Sequence, residues 1–455
     1  GEPMVIILND NEMSIGRNVG GVSRHLSRLR SSGHYLKAKR RYREIMKKTA
    51  VGRAAYRVTR RLKNRLKRFL LPASLFENMG FTYLGPVDGH DLPGLISLLT
   101  TAKGLGEPVV VHVVTKKGCG YRFAEEDPAK FHGIGAFDPE TGKKLAPKVK
   151  SYADSFGETM MELAREDDRI CPITAAMPGG TGLLKFMREY PKRFFDVGIA
   201  EEHAISMAGG LAKQGMVPVA AIYSTFLQRA YDQIMQDIAM LHLHVILAID
   251  RAGLVGADGE THQGIFDLSY LSSIPGMTVM APKNKWELSD MMKFAVHFDG
   301  PIAVRYPRGE AYAGLSEYRA PVVYGESEWI YEESEVALLA VGSMVKTAEQ
   351  VRDRLKAAGH ACSLVNVRFV KPADEKMIRK AAAGHRLIVT MEENVASGGY
   401  GERVRACLAD AESGARLYTV TLPDAYVEHG NTELLKRELS LDADSIFEKI
   451  EEYLQ

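Results

Sequence analysis

Two hydrophobic periods alternate along this chain. Short continuous apolar runs occur at Val109 to Val114, Ile170 to Ala175, Val217 to Ile222, His244 to Ile249, Ile302 to Tyr306, Glu335 to Val341, Cys362 to Val367 and Leu387 to Met391. Their length and β-branched content are those of strands buried on both faces. Between them lie stretches with apolar residues three or four positions apart. These predict helices from Leu92 to Lys103, from near Tyr152 (Phe156, Met160 and Leu163 on one face), along Ala204, Met207, Ala208 and Leu211, and from Val345 to Ala358. Strand followed by helix, repeated, predicts βαβ units and mostly parallel sheets.

The first and last stretches fit the same scheme. Pro3 to Leu8 reads as a buried parallel strand, Leu75 to Gly89 as a strand with turns, and Arg416 to Thr421 as the strand that closes the last unit. A parallel strand needs a neighbour reached through a crossover, and almost nothing precedes Pro3. The expectation is that the chain opens inside a domain whose first part lies upstream, so a targeting segment cannot be read here. Gly135 to Lys150, rich in Gly, Pro and Lys, reads as a linker, and the pattern changes again after Ala320. The expected architecture is therefore α/β, with three consecutive three-layer domains at 1–147, 148–318 and 319–455, the first incomplete. The last shows no catalytic constellation and reads as structural and dimer-forming.

Composition narrows the function classes. A length of 455 residues fits two to four domains, and 45% apolar with 25% charged residues is ordinary for a soluble globular protein. No apolar run approaches the roughly 18 residues needed to span a bilayer. A net charge of +2 does not steer the chain to nucleic acid or membrane. Cys119, Cys171, Cys362 and Cys407 form no C-x-x-C pair, which points to a reducing compartment and no zinc site. One segment departs from this balance: Lys37 to Arg68 is strongly basic, with Glu44 its only acid. It reads either as a nucleic-acid or acidic-membrane patch or as a solvated helical excursion; with no groove-reading motif beside it, the solvated face is preferred.

Polar groups gather where the predicted strands end, the side on which α/β sheets bind ligands. Asn9-Asp10-Asn11 follows the first strand, and its amide oxygens suit a magnesium ion that also holds phosphates. Lys116 to Tyr121 follows the run at Val109, with Phe131-His132-Gly133 soon after. Asp196 to Ala204 reads as a strand end feeding a helix that opens on Glu201 and Glu202, which by themselves are also ordinary first-turn helix acids. Tyr223 to Arg229, Asp250 to Gly253, Gly256 to Gly264 and Pro307 to Gly309 follow later strands. The stretch Gly256 to Gly264 reads as too glycine-rich and polar to be core, and Gly398 to Gly401 as too short for a nucleotide fingerprint.

Seven of these stretches, in order, carry a resemblance: NDNEMSI, YLGPVDGHD, TKKGCGY, DVGIAEEHA, YSTFLQRAYDQ, DRAGLVGADGETHQG and RYPRG. The chain resembles the 1-deoxy-D-xylulose-5-phosphate synthase family from Gly1 to its end. YSTFLQRAYDQ and DRAGLVGADGETHQG set it apart from the related transketolases. The resemblance implies a transketolase-like fold, thiamine diphosphate and Mg2+ as cofactors, pyruvate and D-glyceraldehyde 3-phosphate as substrates, and a homodimer that binds neither nucleic acid nor membrane. It implies a bacterial cytoplasmic or plastid-stromal location. A Gly-Asp-Gly motif and two histidines that the family places upstream of NDN are not in this chain. By the same resemblance Glu201 shares a proton with the cofactor's pyrimidine N1′, Phe226 stacks on that ring, Tyr121 lies along the cofactor, and Asn11 with the Met13 carbonyl holds the metal. Arg251, Arg308 and Tyr223 suit the substrate phosphate, Asp258 and His262 the acceptor or adduct hydroxyls, and His132 the adduct's carboxylate or hydroxyl. The competing readings are a transketolase or 2-oxo acid dehydrogenase-type thiamine enzyme, and an inactive fragment or scaffold that uses the basic segment.

Overall fold

The computed structural model describes residues 2–11, 13, 74–145, 149–410 and 414–455; the basic segment Lys37 to Arg68 lies outside them. The chain divides into two units, Gly1–Pro147 and Lys148–Gln455.

In the first unit β1 (Val5–Asp10), β2 (Thr82–Asp88) and β3 (Val109–Val114) form a parallel sheet in the order β1-β3-β2. The helix Leu92–Lys103 begins where the Asp91 carboxylate accepts the Gly94 N–H, with Pro93 in its first turn. Its Leu95, Leu98, Leu99 and Ala102 pack with Leu84, Val87, Val109, Val111 and Val113. That helix covers β2 and β3. β1 is a parallel strand as expected but not a buried one: Ile7 is 55% exposed, and Met4, Val5 and Ile6 are exposed too. As described, β1 is the sheet edge, paired with β3 alone. Two local expectations also change. Leu75 to Gly89 opens with a short helix, Ser74–Asn78, ended at Gly80 with φ +86°, before β2 begins. The stretch read as a linker holds a small hairpin, β4 (Phe137–Asp138) and β5 (Lys143–Lys144), because Asp138 accepts from Glu140 N and Thr141 Oγ1 and closes a tight turn.

The second unit is built on two sheets. One contains β6 (Ile170–Thr174), β7 (Phe195–Asp196), β8 (Val217–Tyr223), β9 (Ile246–Asp250), β10 (Thr278–Met280) and β11 (Ile302–Arg305), all parallel. The other contains β12 (Glu328–Tyr331), β13 (Glu335–Val341), β14 (Cys362–Val367), β16 (His385–Val395) and β17 (Arg416–Leu422), parallel except β12. β15 (Phe369–Lys371) leaves the second sheet and pairs antiparallel with β10, giving the first sheet the order β15-β10-β11-β9-β8-β6-β7. One apolar cluster joins the two: Ile222, Leu247 and Val279 share it with Leu339, Val365 and Val370.

Helices cover the outer faces. Phe156, Met160 and Leu163 of Tyr152–Glu166 meet Leu288, Met291 and Met292 of Lys285–Val296 over the first sheet. Val345, Ala348, Val351 and Leu355 of Met344–Ala357 cover the second, along with Ile446 and Ile450. The chain does not close at β17. Two further helices follow, Thr432–Glu438 and Ala443–Leu454, each capped by its preceding residue, Asn431 and Asp442. No helix among the described residues is long and apolar enough to cross a membrane.

Candidate active site

In the second unit, strand ends of the first sheet supply the polar groups. After β7 the Asp196 carboxylate accepts the N–H groups of Gly198 and Ala176, at 3.0 and 2.8 Å, which folds the chain sharply at Gly198, φ +75°. That turn brings Glu201 to the first position of the helix Glu201–Lys213, where the helix dipole favours an anion. Glu201 is buried, 2% exposed. Its Oε2 pairs with Arg229 Nη1 at 3.3 Å, and among the described residues no donor reaches Oε1. Arg229 was not singled out in the sequence. It stands three residues after Phe226 in the stretch that follows β8, and that proximity is the only signal for it.

Tyr223 ends β8, and Phe226 stacks on it with ring centroids 5.7 Å apart. His262 meets the Phe226 ring edge-on at 5.1 Å. The Arg251 guanidinium lies 3.5 Å from the centroid of the Tyr223 ring. Burial pushes the Tyr223 hydroxyl up to about 12, with Arg251 pulling the other way, so it remains a donor. Arg308 pairs with Asp258 at 2.5 Å on a half-exposed face. Glu201 and Arg229 form one pair here; Tyr223, Phe226, Arg251 and His262 form a second group, and Arg308, paired with Asp258, lines one cavity with Arg251.

The glycine-rich stretch Gly256 to Gly264 is open along Ala257 to His262, as its composition predicts, but its two ends are buried. Gly253 and Gly264 exchange two backbone hydrogen bonds, and Ala252 to Gly256 and Gln263 to Ile265 are buried. Gln263, another residue not singled out, fastens the loop. Its Oε1 accepts the Val255 N–H at 2.7 Å, and its Nε2 donates to the Glu428 carbonyl at 3.1 Å.

In the first unit the polar strand ends form a different arrangement. Asn11 Oδ1 accepts the Met13 N–H at 3.0 Å, folding that loop on itself. Tyr121 donates its hydroxyl to the Pro139 carbonyl at 2.8 Å and sits among Phe123, Phe131 and Phe137. His132 Nδ1 is 3.1 Å from Lys117 Nζ; burial first, then Lys117, holds the imidazole below its usual range. Asp10, read from sequence as part of a polar loop, is instead the buried end of β1. It lies 3.0 Å from His112 Nε2, whose Nδ1 lies 2.6 Å from the Tyr83 hydroxyl. His112, inside the valine run of β3, gave no sign of this in the sequence.

Comparison with known proteins agrees with this arrangement of elements. Residues 1–115 match the 1-deoxy-D-xylulose-5-phosphate synthase family, 148–313 the transketolase pyrimidine-binding domain and 325–446 the transketolase C-terminal domain. The 1-deoxy-D-xylulose-5-phosphate synthase of Lachnoclostridium phytofermentans is 49% identical over 99% of this chain and 72% of its own length. The chain belongs to the 1-deoxy-D-xylulose-5-phosphate synthase family. The enzyme of that name from Natranaerobius thermophilus is 48% identical, over 98% of this chain and 72% of its own length. Among solved structures, an inactive β4 tetramer of a split-gene transketolase aligns with TM-score 0.61 and 26% identity, over 67% of this chain and 98% of that one. A Campylobacter jejuni transketolase at 17% identity and TM-score 0.56, over 82% of this chain and 68% of its own, shares the fold. As a 1-deoxy-D-xylulose-5-phosphate synthase, the protein is a thiamine-diphosphate-dependent transferase of the transketolase type. It condenses pyruvate with D-glyceraldehyde 3-phosphate, with loss of carbon dioxide, as the first step of the methylerythritol phosphate route.

Proposed function

We propose that Glu201 is the carboxylate that governs the cofactor in this condensation. The observation that carries the reading is a buried acid at the start of a helix, with one oxygen held by Arg229 and no hydrogen bond to the other among the described residues. When bound, thiamine diphosphate supplies the nucleophilic carbon and the electron sink that decarboxylation requires. Glu201 would hold a proton at the pyrimidine N1′ through a charge-assisted hydrogen bond. Arg229 holds Glu201 Oε2 at 3.3 Å. Phe226 would offer its ring to the pyrimidine.

Substrate recognition falls to the cations, because both substrates are anions while the chain as a whole is nearly neutral. Arg251 and Arg308 present forked donors to the phosphate of D-glyceraldehyde 3-phosphate, with the Tyr223 hydroxyl beside them. Asp258 and His262 bind the acceptor or adduct hydroxyls.

Among the described residues no three His, Cys, Asp or Glu side chains gather as a metal centre. Magnesium, however, commonly takes few protein ligands and fills its shell with phosphate oxygens and water. Two hard oxygens, Asn11 Oδ1 and the Met13 carbonyl, suit that chemistry. By this reading residues 1–147 bind the diphosphate, 148–318 the pyrimidine, and 319–455 form the C-terminal domain of a homodimer.

The test is Glu201→Ala. General acid–base assistance of this kind is worth on the order of 10²–10⁴ in rate, so carbon dioxide release should fall at least about 100-fold with an unchanged circular dichroism spectrum. Retention of more than roughly a tenth of the activity would remove Glu201 from the role.

A further inference from the structure

At the carboxyl end of β9 a buried acid stands among arginines. Asp250, Arg251 and Arg308 line a cavity of about 220 Å3 with Ser151, Gly180 and Gly309. Asp250 is 2% exposed. Its Oδ1 accepts the backbone N–H of Arg251 at 2.6 Å, which helps hold Arg251 at φ +61°. Its Oδ2 is 3.6 Å from Arg251 Nη1, an ion pair too long for a hydrogen bond, and is buried with no hydrogen-bond partner among the described residues. Arg251 Nε and the Tyr306 hydroxyl are likewise buried with no hydrogen-bond partner among the described residues. Buried polar atoms normally find partners, so the unmet Asp250 Oδ2 and Arg251 Nε, both on residues that line the cavity, point to a ligand that supplies them.

If that ligand is a phosphate, the charge on Asp250 opposes it. Two unit negative charges about 4 Å apart repel by about 4 kcal/mol at an effective dielectric constant near 20. A neutral acid removes that repulsion and adds a donor. We propose that Asp250 takes up a proton from solvent as the phosphate of D-glyceraldehyde 3-phosphate binds, and that its O–H then donates to the phosphate held between Arg251 and Arg308. The proposal rests on the reading of those two arginines as the phosphate site.

Burial already pushes Asp250 up to about 7, against the pull of Arg251 and Arg308, so little further shift is needed. The charged and titratable groups facing it are Arg251 beside it, Arg308 beyond β11, Tyr306 after β11 and Tyr223 at the end of β8, with Asp258 reached through Arg308. The arginines stay charged, and burial pushes both tyrosines up, Tyr223 to about 12 and Tyr306 well above its usual value. Within this set the charge change near neutrality belongs to Asp250.

Isothermal titration with D-glyceraldehyde 3-phosphate alone, in buffers of different ionisation enthalpy at pH 8, counts the protons. The ligand's phosphate, with a second pKa of about 6, is then already a dianion. Uptake close to one proton per ligand is expected, and Kd should weaken roughly tenfold per pH unit above 7. Asp250→Asn should bring the count to zero and flatten the pH dependence. A wild-type count of zero, or an unchanged count in Asp250→Asn, overturns the proposal; if that variant fails to fold, the wild-type count alone decides. Arg308→Ala separates the two levels. Weakening of at least tenfold by Arg308→Ala, with no proton uptake in the wild type, leaves the phosphate site standing and the Asp250 proposal refuted. Unchanged binding in Arg308→Ala refutes the phosphate site, and the proposal with it.

Discussion

Replacing Glu287 by alanine should unlock the two sheets of the second unit from each other. Glu287 lies in the helix over the first sheet, is 3% exposed, and accepts from Lys283 Nζ at 3.0 Å, Arg368 Nε at 2.7 Å and Asn366 Nδ2 at 2.8 Å. Glu328 in β12 takes the other side of both cations, at 2.6 Å from Lys283 and 3.0 Å from Arg368. Two acids therefore balance two bases, and the alanine variant leaves one buried positive charge without its partner. Breaking such a set costs about 3–5 kcal/mol. For a unit of roughly 300 residues the unfolding entropy is about 0.6 kcal/mol/K, so Tm should fall by about 5–8 °C. Differential scanning calorimetry at pH 7.5 measures this, and a fall below about 2 °C would show that the cluster does not brace the sheets.

The pH dependence of that difference gives a second check. Burial alone would raise Glu287, but Lys283 and Arg368 outweigh it and hold the carboxyl below its usual range. Its stabilisation is therefore complete above the unfolded-state value, about 4.3. It is lost as the pH falls through the lower folded-state value. The gap between wild type and Glu287→Ala should stay constant from pH 8 to 5 and close below about 4.

Two further outcomes test the substrate end of the site. A Cβ at Gly180 would stand 1.7 Å from the Tyr223 hydroxyl, so Gly180→Ala must displace the ring on which Arg251 rests; the KM for D-glyceraldehyde 3-phosphate should rise about tenfold with the pyruvate KM nearly unchanged, and an unaltered acceptor KM would mean that the Tyr223–Arg251 stack does not position the phosphate. Arg308→Ala should raise the acceptor KM far more than the pyruvate KM in steady-state assays, whereas equal effects on both would take Arg308 out of phosphate recognition.

What could be read from the residues alone depended on short-range regularity. Val109 to Val114, Glu335 to Val341 and Cys362 to Val367 are strands with the limits their apolar runs predict. Leu92 to Lys103 is a helix with the predicted ends, because a capping acid and a closing glycine flank its apolar face. Strand–helix alternation was enough for the α/β class, and seven ordered motifs were enough for the family. Reading failed where the neighbour was remote. The apolar run of β1 resembled a buried strand, yet only the tertiary arrangement decides that the Leu92–Lys103 helix covers β2 and β3. The last two helices lie beyond Arg416 to Thr421, the strand expected to close the unit.

The sequence on its own therefore determined the long buried strands and the helices between them, which polar groups stand at their ends, and, through its ordered motifs, the kind of enzyme the chain is, since each signal lies within residues a few positions apart. Tertiary structure alone decided the partnerships: Arg229 with Glu201 across 28 positions, His112 with Asp10 across 102, and β15 with a strand of the other sheet. The physical reason is range. Backbone periodicity is a local property of the chain, whereas burial and charge pairing depend on what folding brings alongside, and no repeat in the sequence records that.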